Sequence, residues 1–474
     1  MIFQVIRKEM LENILGLRFM LSLLLIIVLF ATAGFVFVHK YEQQSQDYWE
    51  EANKSLENFS NQTDRLYKVA LYRQEVYRKP KALSLCAEGF EKSIPNYFQF
   101  NAFSRDYPEI RARTNTLFLR FCDLDWVFLI SLFFSFIAFI FAYNSVSGEK
   151  EAGTLRLMLA GSTPRHKILL GKYLAIMITL GVPMLLGILI NLIIVTTSQS
   201  IMISSGEWVK IFAIIILSFL YLSIFVLLGM FISSRTSRSV SSMVILLFVW
   251  VGLVILIPSF GRVVAKTFRK AATQAEMQKT INDLLEQWVQ DAISGKHGEN
   301  AGNCGSNLED GAYNPPARAR LYNAIMKKRN KVVDEHLDQL TAQAVIGRQF
   351  TRISPAEIYR QACETIAGTG VNRFSELRRQ IRNYQADFKE FIRSKDAEDP
   401  ESLHLLFEEE STANWWKTMS HKPVDFDSVP KFQEKDLTLG QSLQLAIWDI
   451  GLLVLFNLVF FAAAFVSFLR YDVR

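Results

Sequence analysis

Nucleophiles, metal ligands or a phosphate cradle must recur at workable spacing before a chain can do chemistry. This sequence offers few. Its six histidines (His39, His166, His297, His336, His404 and His421) are scattered, and none has a second at metal-ligand spacing. His-Glu-x-x-His, paired Cys-x-x-Cys and Gly-x-Ser-x-Gly do not occur. Gly-x-x-x-x-Gly-Lys-Ser/Thr is missing too, so the chain has no visible means of binding ATP itself. The acidic trio Glu408, Glu409 and Glu410 reads first as a solvated face. No catalytic, cofactor-binding or metal-binding residue is therefore expected, and the chain reads as a non-enzyme.

The segment 144–172 is more informative. It contains Glu149, Glu151, Gly153-Thr154-Leu155-Arg156, then Gly161 to Pro164-Arg165, and ends on Gly171-Lys172. Its pattern predicts a short helix over 154–160, a turn over 161–164 and a return to apolar sequence at Lys172. A short charged helix held at both ends by apolar blocks is suited to passing a push from a partner to those blocks.

Those blocks define the architecture. Half the residues are hydrophobic and 37 are Phe, against 21% charged. The apolar residues gather at 19–38, 126–143, 173–196, 211–232, 239–257 and 445–469. Each is close to the roughly 20 helical residues that cross a hydrocarbon core. An all-α membrane protein with six transmembrane helices follows. Arg7, Lys8 and Arg18 precede the first span; Lys150, Arg156, Arg165, Lys167 and Lys172 lie between the second and third. Arg235 and Arg238 follow the fourth, Arg470 and Arg474 follow the sixth, and 197–208 has no Lys or Arg. Positive charge near span ends stays in the cytoplasm, so both termini are expected inside. A cleaved signal peptide at Ala31-Thr32-Ala33 fits poorly, because the apolar run continues past it. The net charge of +6 is spread over several segments and does not argue for nucleic acid.

Residues 1–18 place Ile2, Val5, Ile6, Met10, Ile14 and Leu15 near one helical face, as an amphipathic helix on the inner membrane surface or an inward extension of the first span. Two long segments, 39–125 and 258–443, fall outside. The first reads as a helix continuing the first span as far as Lys79, where Pro80 ends it. The sequons at Asn53, Asn58 and Asn61 read as coincidence in a polar helix. In the second, Val264, Phe268, Ala271, Ala275, Ile281, Leu285, Trp288 and Ala292 keep helical spacing, which extends the fifth span outward. A Gly- and Asn-rich loop over 295–316 precedes a helix over 317–345, and Ser354-Pro355-Ala356-Glu357 is a capping box. Phe374, Leu377, Ile381, Tyr384, Phe388 and Phe391 then form one narrow seam. Together these predict a mainly helical outside domain or stalk, with the seam packed in its core or against a second copy.

All four cysteines, Cys86, Cys122, Cys304 and Cys363, lie in these outside segments, where disulfides persist. One bridge per segment is the natural expectation; free buried thiols are the alternative, and the pairing stays open. Inside the spans, Asn191, Asp449 and Asn457 are costly polar residues. A helix-to-helix hydrogen bond or a cap near the surface outweighs a substrate or proton site.

In the 144–172 segment the chain resembles the ABC-2 type permeases, the membrane halves of a class of ABC transporters. Their acidic residue, Gly-Thr-Leu, Pro-Arg and Gly-Lys are matched by Glu149 and Glu151, Gly153-Thr154-Leu155, Pro164-Arg165 and Gly171-Lys172. Arg7-Lys8-Glu9 with Leu17-Arg18-Phe19 is similar to that family's first helix. The motifs cover under half the chain. Val429-Pro430-Lys431-Phe432, the final Leu469-Arg470-Tyr471-Asp472-Val473-Arg474 and the large outside segments are similar to a bacterial subgroup.

The resemblance implies two copies of a cytoplasmic ATPase that bind ATP and Mg, a second permease subunit, the same or related, and a bacterial inner-membrane location. It makes 153–160 the helix seated in a cleft of the ATPase, with Glu149, Glu151 and Arg165 at its edges. Three functions stay open: export of an unknown substrate, transmission of ATP-driven motion to a periplasmic partner, and an ATP-independent scaffold or receptor.

Overall fold

In lipid a segment must satisfy its own backbone hydrogen bonds, and in the computed structural model the apolar blocks are accordingly helical. The structure describes residues 2–62, 64–91, 94–111, 124–155, 164–261, 272–293, 315–406 and 418–470. α1 (Ile2–Ile14) and α2 (Leu17–Gln62) are followed by α3 (Leu66–Leu71) and two strands, β1 (Gln74–Tyr77) and β2 (Tyr97–Phe100). Next come α4 (Trp126–Glu151), α5 (Arg165–Thr197), α6 (Ser205–Arg235) and α7 (Ser239–Gly261). α8 (Gln274–Ile293), α9 (Pro315–Thr351), α10 (Pro355–Ala367) and α11 (Val371–Ala397) build the polar domain, and α12 (Leu439–Leu469) closes the bundle. Six of these, α2, α4, α5, α6, α7 and α12, are long and apolar enough to cross a membrane, and the fold is that of an all-α membrane protein.

α6 is the hub of the bundle. Its Tyr221, Leu222, Ile224, Phe225 and Val226 are fully buried, whereas α7 and α12 turn residues such as Phe248 and Trp448 outward. Two π turns, Ile130–Phe134 in α4 and Val251–Leu256 in α7, interrupt the regular ladder and free carbonyls for other partners. Ser131 O accepts from the Tyr221 hydroxyl at 2.9 Å, and Leu253 O accepts from the Ser354 hydroxyl.

Both long polar segments, 39–125 and 258–443, contribute to the polar domain. β1 and β2 pair antiparallel, with Gln74 opposite Phe100 and Tyr77 opposite Tyr97. Val76, Phe98 and Phe100 share a core with Val333, Leu337, Leu377 and Ile381. Arg105 Nη2 meets Asp334 at 2.6 Å and Arg329 Nη2 meets Asp106 at 2.7 Å, tying the segments together. The seam on α11 packs inside this domain: Phe374, Leu377, Ile381, Tyr384 and Phe388 are buried and Phe391 is partly so.

α2 does leave the membrane block as one helix of 46 residues, about 69 Å long. It stops at Gln62, however, well short of Lys79. The reason is burial: Phe59 joins a core with Leu66, Val69 and Ala70, and only a reversal of the chain brings both groups to one cluster. The expected continuation of the fifth span through Val264, Phe268 and Ala271 lies outside the described residues.

Ser354 opens α10 as N-cap, its hydroxyl accepting from Glu357 N at 3.3 Å, but the box does not close: Ser354 N donates to Thr351 O, and the Glu357 carboxylate takes Arg360 and Gln361 instead. The position of this helix was not foreseen. Every residue of α10 except Arg360 is buried, and the helix packs against α6 and α12 rather than among the other domain helices.

Candidate functional site

The 144–172 segment is organised around Lys172, on the first turns of α5. Its side chain is 1% exposed, and its ammonium lies 2.7 Å from Glu9 Oε1 on α1 and 2.7 Å from Glu149 Oε1 at the end of α4. Gly171 precedes it because α1 crosses there: a Cβ at this position would sit 2.9 Å from Val5 Cγ1. Two carboxylates make burial of one ammonium tenable, though desolvating three charges leaves little net stabilisation. What the triad supplies is a fixed arrangement of α1, α4 and α5.

The remaining residues tie the segment to the other helices. Lys150 donates to Ser234 O and, at 3.1 Å, to Thr236 O, satisfying carbonyls at the end of α6. Ser233 Oγ accepts from the backbone N–H groups of Val146 and Ser147 at 3.1 and 2.9 Å. Glu151 Oε2 accepts from Ser239 N at 3.1 Å, where a carboxylate suits the start of α7. Arg165, just after Pro164, donates to Leu469 O at 2.7 Å, at the end of α12. Gly153 has φ +73°, which suits glycine and turns the chain, and Leu155 is buried. Glu151, Ala152, Gly153 and Thr154 are exposed. Thr154 and Leu155 are helical; Arg156 and the rest of the 154–160 helix lie outside the described residues.

Glu149 therefore faces inward, while Glu151, Ala152, Gly153 and Thr154 form an exposed turn. Spacing along the chain could not show this, since Glu9 and Lys172 are 163 residues apart in sequence.

The polar residues inside the spans make helix-to-helix contacts. Asn191 accepts from Trp126 Nε1 at 2.9 Å and donates to Phe30 O at 2.7 Å, joining α2, α4 and α5. Asn457 donates to Leu220 O at 2.9 Å. Asp449 on α12 meets Arg352 Nε at 2.9 Å, next to α10.

Sequence reasoning missed the charge cluster to which that pair belongs. Arg360 forks onto Glu357 at 3.0 and 2.5 Å and reaches Glu364 at 3.3 Å, while Arg348 approaches Glu364 at 3.4 Å. Burial pushes the Glu364 carboxyl up; it would raise Glu357 too, but Arg360, Gln361 and Arg348 together outweigh it and hold Glu357 below the usual range. Burial also pushes Asp125 up to about 7, although Glu88 N and Phe128 N each donate to it at 2.7 Å. The available signal was the capping box, which gave the start of α10 but not its surroundings.

Cys86 and Cys363 carry free thiols, both fully buried in the core that joins α10 to the bundle. One bridge per segment is not what this structure holds at those two positions; Cys122 and Cys304 lie outside the described residues. With no disulfide required, both sulfurs serve as small apolar packing groups.

Six apolar helices, an amphipathic first helix and a polar loop bound to the helix ends at one face define a class, the multi-pass membrane transport proteins. More narrowly, the chain belongs to the ABC-2 family transporter proteins, whose family model matches residues 3–473. It is thus a membrane permease of the ABC transporter kind, the non-catalytic component. The match runs through the polar domain as well as the bundle, further than the loop motifs alone reached. No curated protein matches the chain.

Proposed function

We propose that this chain is the membrane subunit of a bacterial inner-membrane ABC exporter and that its 144–172 loop receives the stroke of a separate cytoplasmic ATPase. Two ATPase copies hold the ATP and Mg, and a second permease subunit, the same or related, completes the membrane part. One observation carries the reading. The loop reaches α1, α5, α6, α7 and α12 through Glu149, Lys150, Glu151, Arg165 and Lys172, yet leaves Ala152, Gly153 and Thr154 exposed. A push on that turn is delivered to the first helix and four spans together, and the rearranged spans release an amphipathic substrate between the two permeases.

The test uses the permease with its co-purified ATPase in lipid nanodiscs. Thr154→Arg should weaken ATPase association about tenfold, roughly the effect of losing one well-packed interface residue, and leave permease melting unchanged. A permease that binds no ATPase, or a Thr154→Arg variant with native association and coupled hydrolysis, overturns the reading in favour of an ATP-independent scaffold. Glu149 is the wrong target, since reversing a charge paired with the buried Lys172 disrupts the bundle itself.

A second reading rests on α10. Because that helix of the polar domain is wedged against α6 and α12, span movement is passed outward, and a periplasmic protein rather than a transported molecule receives it. An ATP-dependent change in distance between spin labels at Arg379 and Trp448, with no substrate flux, would favour this version.

A further inference from the structure

One side of α2 is built into the fold: Ile26, Phe30, Phe37 and Tyr41 are buried in the bundle, and Phe59 in the polar domain. The other side is open along the whole helix. There Leu21, Val28, Phe35, Trp49 and Leu56 are 58, 53, 66, 52 and 44% exposed. They recur at sevens. Glu42 holds the remaining place in the row, its carboxylate drawn aside by the Ser198 and Ser200 hydroxyls at 2.8 and 3.3 Å. A straight helix drifts by about 20° per seven residues, so such a row traces a slow left-handed spiral, the path of a partner helix in a coiled coil.

Lipid can cover the first three of these side chains. It cannot reach the last two. At 1.5 Å per residue, Trp49 and Leu56 lie about 16 and 27 Å beyond Val38, where the apolar block ends, on the same unbroken helix. Exposed apolar groups at that height call for a protein surface.

The neighbouring row narrows the choice of protein. It carries Thr32, His39, Gln46, Asn53 and Ser60, all exposed. A wholly apolar partner would leave Gln46 and Asn53 unpaired, whereas an identical helix presents amide to amide at the same heights. Asn in such a row fixes the register of a parallel pair. Two copies inserted in one membrane by the same charge rule run parallel and level. The flanks permit it too, since Glu50 and Glu57 on one side would face Ser45 and Ala52 of the other helix.

We propose that two copies of this chain pair through α2, parallel and in register, from the membrane block to beyond Leu56. The pairing deepens the proposed function: it rests on the second permease subunit and makes that subunit the same chain, but it needs no ATPase.

The experiment uses the full chain carrying Cys122→Ser and Cys304→Ser, which leaves the two buried thiols. Gln46→Cys, Trp49→Cys, Asn53→Cys and Leu56→Cys are made singly, with the exposed off-row Lys54→Cys and Asn58→Cys as controls, and oxidised by copper phenanthroline in proteoliposomes. A disulfide needs Cα atoms within roughly 7 Å, so the row should give at least about fivefold more covalent dimer than the controls. Trp49→Glu with Leu56→Glu should weaken self-association at least about tenfold, as expected when two central interface anchors are lost, and Lys54→Glu should not. Equal cross-linking at all six positions, or none, overturns the proposal. So does a row shielded from a water-soluble maleimide in cells that yields no covalent dimer, since another protein then covers α2. ATPase association is measured on the same samples. Failed cross-linking with the ATPase bound overturns the pairing alone; intact cross-linking with no ATPase bound overturns the proposed function alone.

Discussion

The hydroxyl of Tyr359 lies 2.7 Å from that of Ser218, and both side chains are fully buried. Ser218 is well inside α6, so α10 reaches into the membrane block instead of resting on it. The Tyr359 ring stacks on Tyr221 at 4.5 Å, and the Tyr221 hydroxyl in turn donates to the π turn of α4. Domain and bundle are thus keyed together by two tyrosines and a serine.

The two sides of that contact are not equal, because the Ser218 hydroxyl also donates to Ile214 O at 2.8 Å and keeps that bond when Tyr359 is cut back. Ser218→Ala takes the acceptor from the buried Tyr359 hydroxyl and should cost about 1–3 kcal/mol, while Tyr359→Phe should cost about 0.5–1.5 kcal/mol. The double variant should lose less than the sum, because nothing is then left unpaired. Thermal melting of the three variants in nanodiscs gives the coupling; strict additivity would mean that the hydroxyls do not interact.

At the opposite face the Lys172 triad should respond more sharply. Lys172→Met leaves the partly buried Glu9 and Glu149, 14% and 17% exposed, beside each other without their shared counter-charge, an expected loss of about 2–3 kcal/mol, below that of a fully buried pair. Glu151→Gln keeps an acceptor for Ser239 N and should cost about 0.5 kcal/mol or less. Chemical denaturation in matched detergent ranks the two, and comparable losses would mean that the triad is not buried as described.

Gly171 tests the seating of α1. Gly171→Ala brings a methyl group to 2.9 Å from Val5 Cγ1 and should cost about 1–3 kcal/mol through overpacking. Val5→Ala in the same chain should return most of it. Failure of that rescue would show that α1 does not pack on α5 at this point.

How much of this was legible depended on the range of the interactions. The spans were readable because roughly 20 consecutive apolar residues have few alternatives to a membrane helix. The capping box gave the start of α10 because Ser354 and Glu357 are neighbours. Its location was hidden, since it depends on Ser218 and Leu253, which are distant in sequence. The loop was recognisable as a pattern, yet spacing cannot say that Glu149 turns toward Glu9 and Lys172 while Thr154 faces out. The strands were invisible for another reason: four residues each, Gln-Glu-Val-Tyr and Tyr-Phe-Gln-Phe, are too few for a period to show.

Asp125 gives a pH dependence of definite sign. It is the N-cap of α4, and burial raises its carboxyl from 3.8 to about 7, with Glu88 and Glu364 adding to the shift. Between those two values the folded chain holds a proton that the unfolded chain has released, so stability falls as pH rises. The contribution is complete below about pH 4 and gone above about pH 7, up to about 4 kcal/mol at 1.36 kcal/mol per unit. Asp125→Asn cannot ionise, but it offers one acceptor oxygen where Glu88 N uses Oδ2 and Phe128 N uses Oδ1, so it carries a pH-independent loss of one hydrogen bond. Relative to that variant the native chain should lose up to about 4 kcal/mol between pH 4 and pH 8. Melting curves of the two chains across that range decide the matter: parallel curves would mean that Asp125 is ionised in the fold at every pH, held by its two backbone donors against the cost of burial.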